Sequence, residues 1–273
     1  MRLPGLQRRL PRQKWEQCSV LTLWCASRSL EIPQEPLPVA GRRAYLTAPC
    51  DGCPTIMTVH RHQAAGLLEL YLETQHSSLF LGAAYKRRGA YTLFQDRGDS
   101  NTSSPSYMGK VLISANHTEY VLEEFVAEKE CKRTACVFFK KRFSATGVPR
   151  SLTALIPERA GDGLPAKDLT RVARKDATAM TGLRALKNAL PVWDPEAKGY
   201  VLDMSQRIRL PSVKNFQMKE CKPGESKPEG TVLMEFGKST ASTFALECRA
   251  PLSILQAFTI SVAMIDSSLL VTM

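Results

Sequence analysis

The sequence predicts a mainly β protein in which a closed antiparallel barrel of about twelve strands surrounds a hydrophobic C-terminal α-helix. Two observations lead to this fold. Residues 251–270 are apolar on nearly every side, and no charged residue lies between Arg249 and Asp266. From about Thr55 to this run, the chain consists mostly of short β-rich segments, most of them separated by Gly, Pro, Asn or Asp. Such segments are typical of antiparallel sandwiches and barrels, and an apolar helix has to be enclosed.

The N-terminal region differs from the rest of the chain. Residues 1–15 are rich in Arg and Leu and contain two prolines, and the proline-rich segment 31–39 (EIPQEPLPV) is typical of a linker. No convincing small-residue cleavage site follows the apolar stretch at residues 18–27, so a secretory signal is not expected. The sequence therefore predicts an irregular leader and linker at residues 1–40 and one domain at residues 41–273.

The strands are predicted from apolar alternation. Leu68, Leu70 and Leu72 alternate with polar or aromatic residues, which is the two-residue period of a strand with one buried face. Further β-rich runs lie at residues 77–85, 91–95, 108–114, 135–143, 152–156, 200–203, 213–218, 231–236 and 243–248.

One internal segment has a different composition. Residues 166–188 (AKDLTRVARKDATAMTGLRALKN) are rich in Ala, Leu, Lys and Arg and contain no proline. These residue types favour helix, so we expect helical turns on the outside of the domain.

The C-terminal run is predicted to be one helix over residues 251–270. A membrane span needs about 20 predominantly apolar residues, whereas Ser253, Gln256, Thr259 and Ser261 interrupt this run and Asp266 shortens it. No transmembrane segment is therefore expected. A helix of about 18 to 20 residues is about 30 Å long. A barrel of about eight strands is filled by its own side chains, so enclosing a helix requires about eleven or twelve.

The composition favours acidic partners. The formal net charge is +11 and the isoelectric point is about 9.4, which suits nucleic acid or the anionic inner leaflet of a membrane. The eight cysteines are too sparse for a disulfide scaffold, and we expect a reducing, intracellular environment.

Several motifs then resemble those of one family. They are FLGAAYKRR at 80–88, SYMGK at 106–110, PRSLTALIP at 149–157, PVWD at 191–194, GYVLD at 199–203, SVKNFQ at 212–217, VLMEFG at 232–237 and PLSILQAFTI at 251–260. Together they resemble the Tubby-like protein family over roughly residues 55–270. The resemblance implies a twelve-stranded barrel around a central helix, and it implies binding of phosphatidylinositol bisphosphate at the inner plasma membrane.

The resemblance also supplies candidate lipid-binding residues. Lys86 and Arg88 match the Lys-x-Arg pair of the family's basic loop, with Arg87 between them, and Lys110 ends the SYMGK motif. Arg150 and Lys214 are secondary candidates by position. Alternation at the end of a strand places Lys86 and Arg88 on one face, where Arg binds phosphate bidentately and Lys acts as a point charge. Leu112 stands where the family has a further Arg, so one phosphate ligand is missing.

No metal, cofactor or catalytic group is expected. Cys50, Cys53, His60 and His62 include ligand types for zinc, but their spacing is not that of a finger, and a turn at Asp51 and Gly52 explains the segment better. The chain has no GxSxG elbow and no Cys/His pair with catalytic spacing. We therefore expect a binding protein, not an enzyme.

Two functions remain open. The first is a phosphoinositide-binding peripheral membrane module, a tether or trafficking adaptor that is released when the lipid is hydrolysed. Its partners would include membrane-protein cargo or a trafficking complex. The second is a nucleic-acid-binding or nuclear transcription-regulatory protein, motivated by the same positive charge. The first predicts a cytoplasmic protein at the inner leaflet of the plasma membrane, and the resemblance leaves the nucleus and the cilium open as further compartments.

Overall fold

The computed structural model describes residues 39–127, 130–140, 151–159, 162–164, 182–196, 199–222, 225 and 227–267. The predicted leader and linker lie outside the described residues up to position 38, as does the predicted outer helical segment from 166 to 181. Within the described part, the chain forms two helices, α1 (Val39–Thr47) and α2 (Ile254–Asp266), and a set of antiparallel strands.

Twelve of the described strands close into a barrel, which confirms the predicted fold class. They are β1 (Thr55–His62), β2 (Leu67–Glu73), β3 (Ser78–Arg87), β4 (Ala90–Phe94), β5 (Tyr107–Ile113), β6 (Glu119–Ala127), β7 (Glu130–Lys140), β8 (Ser151–Pro157), β9 (Leu183–Asn188), β12 (Phe216–Glu220), β13 (Val232–Lys238) and β14 (Thr243–Cys248). The other two, β10 (Val192–Asp194) and β11 (Gly199–Val201), form a separate hairpin. Sequence neighbours pair except where β9 meets β12 and where β1 meets β14, and this last pairing closes the barrel.

Alternation decides which side chains face the helix. Leu68, Leu70 and Leu72 of β2 belong to the core, as do Met57 and Val59 of β1, which are fully buried. The residues between them face outward, where Glu69 accepts a hydrogen bond from Tyr71. The barrel interior is therefore lined by one face of each strand and filled by α2.

The central helix is shorter than predicted. It begins at Ile254, not at residue 251, because residues 49–50 pair with the segment before it: Pro49 forms a bridge with Ser253, and Cys50 N donates to Leu252 O. Ser253 and Gln256 then form a capping box. The helix ends at Asp266, and Ser267 has left helical geometry, so the predicted end at residue 270 was also wrong. The 13 residues give a length of about 20 Å.

Polar residues are accommodated inside the barrel by bonding to their own helix. The hydroxyl of Thr259 donates to Leu255 O at 2.9 Å, and that of Ser261 donates to Ala257 O at 2.9 Å. Both side chains are fully buried. Because each hydroxyl has a partner, burial does not leave an unsatisfied polar group. This explains how the enclosed helix tolerates the residues that interrupt its apolar run.

Several elements differ from the sequence prediction, and strand β10 lies in none of the predicted β-rich runs. Leu183–Asn188, predicted as the end of a helical segment, is strand β9, because pairing with β8 and β12 overrides its helix-favouring composition. Strand β6 was missed because its three glutamates obscure the apolar alternation, although Tyr120 and Leu122 between them are fully buried. Helix α1 was missed because it follows the proline-rich linker.

Helix α1 lies at the end of the barrel where α2 begins, and we call this the α1 end. Leu46 inserts into the core, Arg42 donates to Gln95 O at 2.9 Å, and Arg43 donates to Phe125 O and Tyr107 O. These contacts bind the helix to the strand ends around it. The opposite end, where α2 terminates, carries Lys86, one of the predicted lipid-binding residues.

Candidate functional site

A buried carboxylate marks the end of the barrel where α2 terminates. Oδ1 of Asp266 accepts hydrogen bonds from Lys86 Nζ at 2.6 Å and from the Tyr91 hydroxyl at 3.0 Å. Its Oδ2 accepts from His117 Nδ1 at 2.9 Å and from the Tyr120 hydroxyl at 3.1 Å. The Asp266 side chain is only 1% exposed. Four side chains from distant parts of the sequence thus converge on the last residue of the helix.

The strand pattern places these donors. Lys86 lies two residues after Ala84, which faces the core, so Lys86 follows the interior face of β3 to its end. Tyr91 is its partner across the β3–β4 hairpin, and the ammonium lies 5.9 Å from the centre of that ring. His117 is held in the turn between β5 and β6 with a φ of 53°, a left-handed conformation that is uncommon for a residue other than glycine.

The carboxylate is held in its ionised form. Burial of the Asp266 carboxyl opposes ionisation, but hydrogen bonds from Lys86 and His117 outweigh it and hold the pKa of Asp266 below its ordinary value. Burial and the neighbouring carboxylate raise the pKa of Tyr91, which therefore remains a donor. The ammonium of Lys86 and the carboxylate of Asp266 are thus a charged pair, and the Lys86 side chain is 48% exposed on its outer side.

Lys214 also reaches the end of α2. Its ammonium donates to Met264 O at 3.0 Å and to Ile265 O at 2.9 Å. These carbonyls lie in the last turn of the helix, where a cation is favoured by the helix dipole. The structure thus gives Lys214 a capping role at the same barrel end as Lys86.

Arg87 and Arg88 follow Lys86 directly in the sequence, and we call these three residues the basic run. Arg87 faces the outside of β3, with its guanidinium 5.8 Å from the centre of the Tyr85 ring. Strand β3 ends at Arg87, and Arg88 lies in the following turn beside Gly89. Because the strand ends one residue before Arg88, strand alternation does not place Arg88 on the same face as Lys86. Within the described residues, no carboxylate lies within ion-pair distance of either arginine. We call the barrel end that holds Lys86, Arg87, Arg88, Lys214 and Asp266 the cationic end.

Two other predicted residues are not part of this cluster. Lys110 lies in the middle of β5 on the outer wall, where its ammonium is 3.3 Å from a carboxylate oxygen of Glu123. Arg150 lies outside the described residues. Leu112 pairs with Ala90 near the cationic end, so the missing cation would have stood close to the basic run.

Sequence reasoning missed the acidic centre of the cluster. Asp266 was interpreted only as the residue that shortens the apolar run, and His117 was not among the candidate residues. A signal for Asp266 was present, because a single acidic residue at the end of an enclosed helix needs a buried cation or several donors. Its partner Lys86 lies 180 residues away in the sequence, and no local pattern identifies it.

The cysteines and histidines considered for zinc lie apart. Cys50 Sγ is 3.4 Å from Cys248 Sγ at the α1 end, whereas His62 Nε2 is 2.9 Å from a Glu69 carboxylate oxygen on the outer wall. Among the described residues, no three metal-ligating side chains converge. In the same part of the chain, no helix is long and apolar enough to cross a membrane.

Comparison with known proteins identifies relatives of the whole domain. The model of the Tub family matches residues 47–267. The chain is 25% identical over 217 residues to Protein king tubby of Drosophila melanogaster, covering 73% of this chain and 46% of that protein. It is 27% identical over 219 residues to Tubby protein homolog 1 of Caenorhabditis elegans, covering 71% of this chain and 50% of that protein. The chain thus spans about half the length of these curated relatives.

Proposed function

This chain belongs to the Tub family, and from that premise we propose that it binds phosphoinositides and attaches peripherally to the inner leaflet of the plasma membrane. In this proposal it acts as a tether or trafficking adaptor, not as an enzyme, and hydrolysis of the bisphosphate lipid releases it. The observation that supports the proposal most directly is the clustering of Lys86, Arg87 and Arg88 at one end of the barrel.

The geometry of Lys86 suits a phosphate ligand. An ammonium has three N–H donors, and Asp266 accepts from one of them while nearly half of the side chain stays exposed. The buried carboxylate therefore fixes the position of the ammonium without covering it. A preorganised cation loses less conformational entropy when a phosphate binds than a freely rotating one.

The two arginines supply the surplus positive charge. Lys86 is neutralised by Asp266, whereas Arg87 and Arg88 have no carboxylate partner among the described residues. Guanidinium groups bind phosphate oxygens bidentately, and a basic residue near an anionic leaflet contributes about 1 kcal/mol. We propose that Arg87 and Arg88 bind phosphates beside Lys86. Lys214, with both carbonyl bonds in α2, is assigned to stabilising this end of the barrel.

Vesicle sedimentation tests the proposal. We expect Arg87→Ala/Arg88→Ala to weaken binding to vesicles with phosphatidylinositol bisphosphate about ten- to thirtyfold, from the loss of two cations near the surface. The matched control is Lys222→Ala/Lys227→Ala, which removes two exposed lysines between β12 and β13 at the α1 end. Equal loss in both variants, or equal binding of the parent to phosphatidylserine vesicles of the same charge, would contradict a specific site.

Lys86 needs a paired substitution. Lys86→Ala alone removes a partner from a buried carboxylate and so tests folding as well as binding. Lys86→Met/Asp266→Asn removes both charges together. If Lys86 binds phosphate, this double variant keeps the far-ultraviolet spectrum of the parent but loses part of its preference for the bisphosphate lipid. Unchanged preference in the folded double variant would remove Lys86 from the site.

Binding to nucleic acid is the competing function, and the net charge of +11 motivates it. It predicts affinity for duplex DNA that falls steeply with salt and depends on many cations. A competition experiment separates the two functions: under our proposal, duplex DNA at equal phosphate concentration does not displace the protein from bisphosphate vesicles. Displacement that is insensitive to Arg87→Ala/Arg88→Ala would favour the nucleic-acid function.

A further inference from the structure

The segment that precedes β12 crosses from the outer wall of the barrel to the cationic end. Ile208 is buried against β13, and its methyl groups lie so close to Gly237 that a Cβ there would be 2.6 Å from the nearest. The segment then continues through residues 209–213 to Lys214, whose ammonium bonds to the last turn of α2. We call residues 209–214 (RLPSVK) the rim segment.

Hydrogen bonds to the end of β13 and to Asn215 hold the backbone of the rim segment in place. The amides of Arg209 and Leu210 donate to Lys238 O at 3.1 and 3.0 Å. Asn215 Nδ2 donates to Leu210 O at 2.9 Å, and Asn215 Oδ1 accepts from Lys238 N at 2.9 Å. These bonds join the segment to the end of β13. Its conformation is therefore fixed before any partner binds.

This fixed segment presents apolar side chains to solvent. Val213 is 66% exposed and Leu210 is 38% exposed, and Pro211 between them is also exposed. A single exposed apolar residue is ordinary on a protein surface. Here the neighbours in sequence are an exposed arginine, Arg209, and the capping Lys214, and the segment stands at the same barrel end as Lys86, Arg87 and Arg88.

The exposed apolar side chains of the rim segment, beside clustered cations, fit the interface of an anionic bilayer. The cations suit the headgroup layer, and aliphatic side chains gain free energy when they pass beneath it. A protein partner would have to be acidic and apolar over the same surface, whereas an anionic membrane offers both properties in adjacent layers. The charge complementarity of the whole end therefore favours a membrane as the occupant.

We propose that the rim segment is a membrane anchor, in which Leu210, Pro211 and Val213 insert into the interfacial region of the bilayer while the basic run binds the headgroups. The proposal rests on the proposed phosphoinositide function and adds a second, uncharged contribution to it. The two contributions differ in their response to salt, because ions screen the attraction of the cations but not the burial of aliphatic side chains.

The first test compares vesicle partitioning. We expect Leu210→Gln/Val213→Gln to weaken partitioning into bisphosphate vesicles about ten- to thirtyfold while leaving the dependence on salt unchanged, since only apolar burial is lost. Arg87→Ala/Arg88→Ala should instead make the salt dependence shallower. Val126→Gln is the matched control, because Val126 is 41% exposed and lies near the end of β6 at the α1 end. Partitioning of the rim variant equal to that of the parent would overturn the anchor.

A second test measures insertion directly and does not depend on affinity. The signal of the parent, which has three tryptophans of its own, is subtracted from that of Val213→Trp. The remaining fluorescence should be quenched by brominated acyl chains when bisphosphate vesicles that contain them are added. Val126→Trp, at the opposite end, should show no such quenching. Bound Val213→Trp protein that is not quenched would overturn the proposal, even if the basic run binds the lipid.

The two proposals fail in different ways. If the parent shows no preference for bisphosphate vesicles, the phosphoinositide function fails. If the parent binds them selectively but the rim variant partitions equally well and Val213→Trp is not quenched, the function stands and only the anchor fails.

Discussion

The carboxylate of Asp266 joins side chains that come from β3, β4, β6 and the turn before β6. Its side chain is almost completely buried, so the four donors replace the water that an ionised carboxyl requires. One of them, Lys86, is also the candidate phosphate ligand. At the scale of the residue, the stability of the barrel end and the position of the proposed phosphate-binding cation therefore depend on the same hydrogen bonds.

We expect Asp266→Asn to lower the free energy of unfolding by about 2 kcal/mol at pH 7, because the charge-assisted bonds become weaker and the two donors that face the new amide nitrogen lose their acceptor. Denaturant titration of the parent and the variant measures this difference. Tyr120→Phe, which removes one of the four donors and keeps the ring, should cost about 1 kcal/mol. An Asp266→Asn protein as stable as the parent would show that the cluster contributes nothing to folding.

The same residue gives a pH dependence with a defined sign. The pKa of Asp266 is lower in the folded protein than its ordinary value of 3.8, so the ionised carboxylate stabilises the fold at higher pH. That stabilisation is lost as the pH falls through the folded pKa. The stability advantage of the parent over Asp266→Asn should therefore be constant at neutral pH and shrink below about pH 4. A difference that is the same at pH 7 and pH 3 would contradict this.

At the scale of the element, one glycine permits the pairing of β5 with β6. Gly109 has a φ of 139°, and a Cβ at this position would lie 2.1 Å from Glu123 O on the neighbouring strand. That atom belongs to the backbone and cannot rotate away. A side chain at residue 109 would therefore separate two strands of the closed barrel.

We expect Gly109→Ala to destabilise the domain by more than about 3 kcal/mol, since strain and lost strand pairing add together. The control is Gly89→Ala in the β3–β4 turn. Gly89 also has a positive φ, 73°, but a Cβ there would meet no other side chain or strand within 4 Å, so the cost should be about 1 kcal/mol. Similar thermal shifts for the two variants would mean that the approach of β6 to Gly109 is not a tight constraint.

The central helix is tested by a charge at its middle. Phe258 is 1% exposed and lies inside the barrel, so Phe258→Asp should prevent folding because it buries an unpaired carboxylate. Phe258→Leu, which keeps the site apolar, should fold with a loss of about 1 to 2 kcal/mol. Circular dichroism and solubility distinguish the outcomes, and a folded Phe258→Asp protein would contradict an enclosed helix.

At the scale of the whole molecule, closure of the barrel pairs the first barrel strand of the sequence with the last. Strand β1 pairs with β14, the last strand before α2, so the first and last parts of the barrel support each other. The two ends of the barrel carry different groups. Helix α1 and its arginines bind the strand ends at one, and the cations and the rim segment lie at the other.

Closure predicts cooperative unfolding. Because the barrel strands share one core with α2, loss of any part should remove the support of the rest. Denaturant transitions followed by far-ultraviolet and near-ultraviolet circular dichroism should therefore coincide. A separate earlier transition of the tertiary signal would indicate that part of the barrel opens independently.

Local patterns by themselves determined much of this protein. The alternation of Leu68, Leu70 and Leu72 predicted a strand, and the apolar run that ends at Asp266 predicted an enclosed helix. Both patterns depend only on residues that are close together in the sequence. The motifs from FLGAAYKRR to PLSILQAFTI indicated the family. Patterns failed where pairing overrides composition, as in Leu183–Asn188.

Only the tertiary structure decided which carboxylate each cation contacts. Lys86 and Lys110 are similar in the sequence, yet one faces the barrel interior and bonds to Asp266 while the other lies on the outer wall beside Glu123. The sequence also did not predict that Val213, next to the capping Lys214, is exposed. The physical reason is that side chains far apart in sequence are brought together by strand register and barrel closure, and both depend on the whole chain.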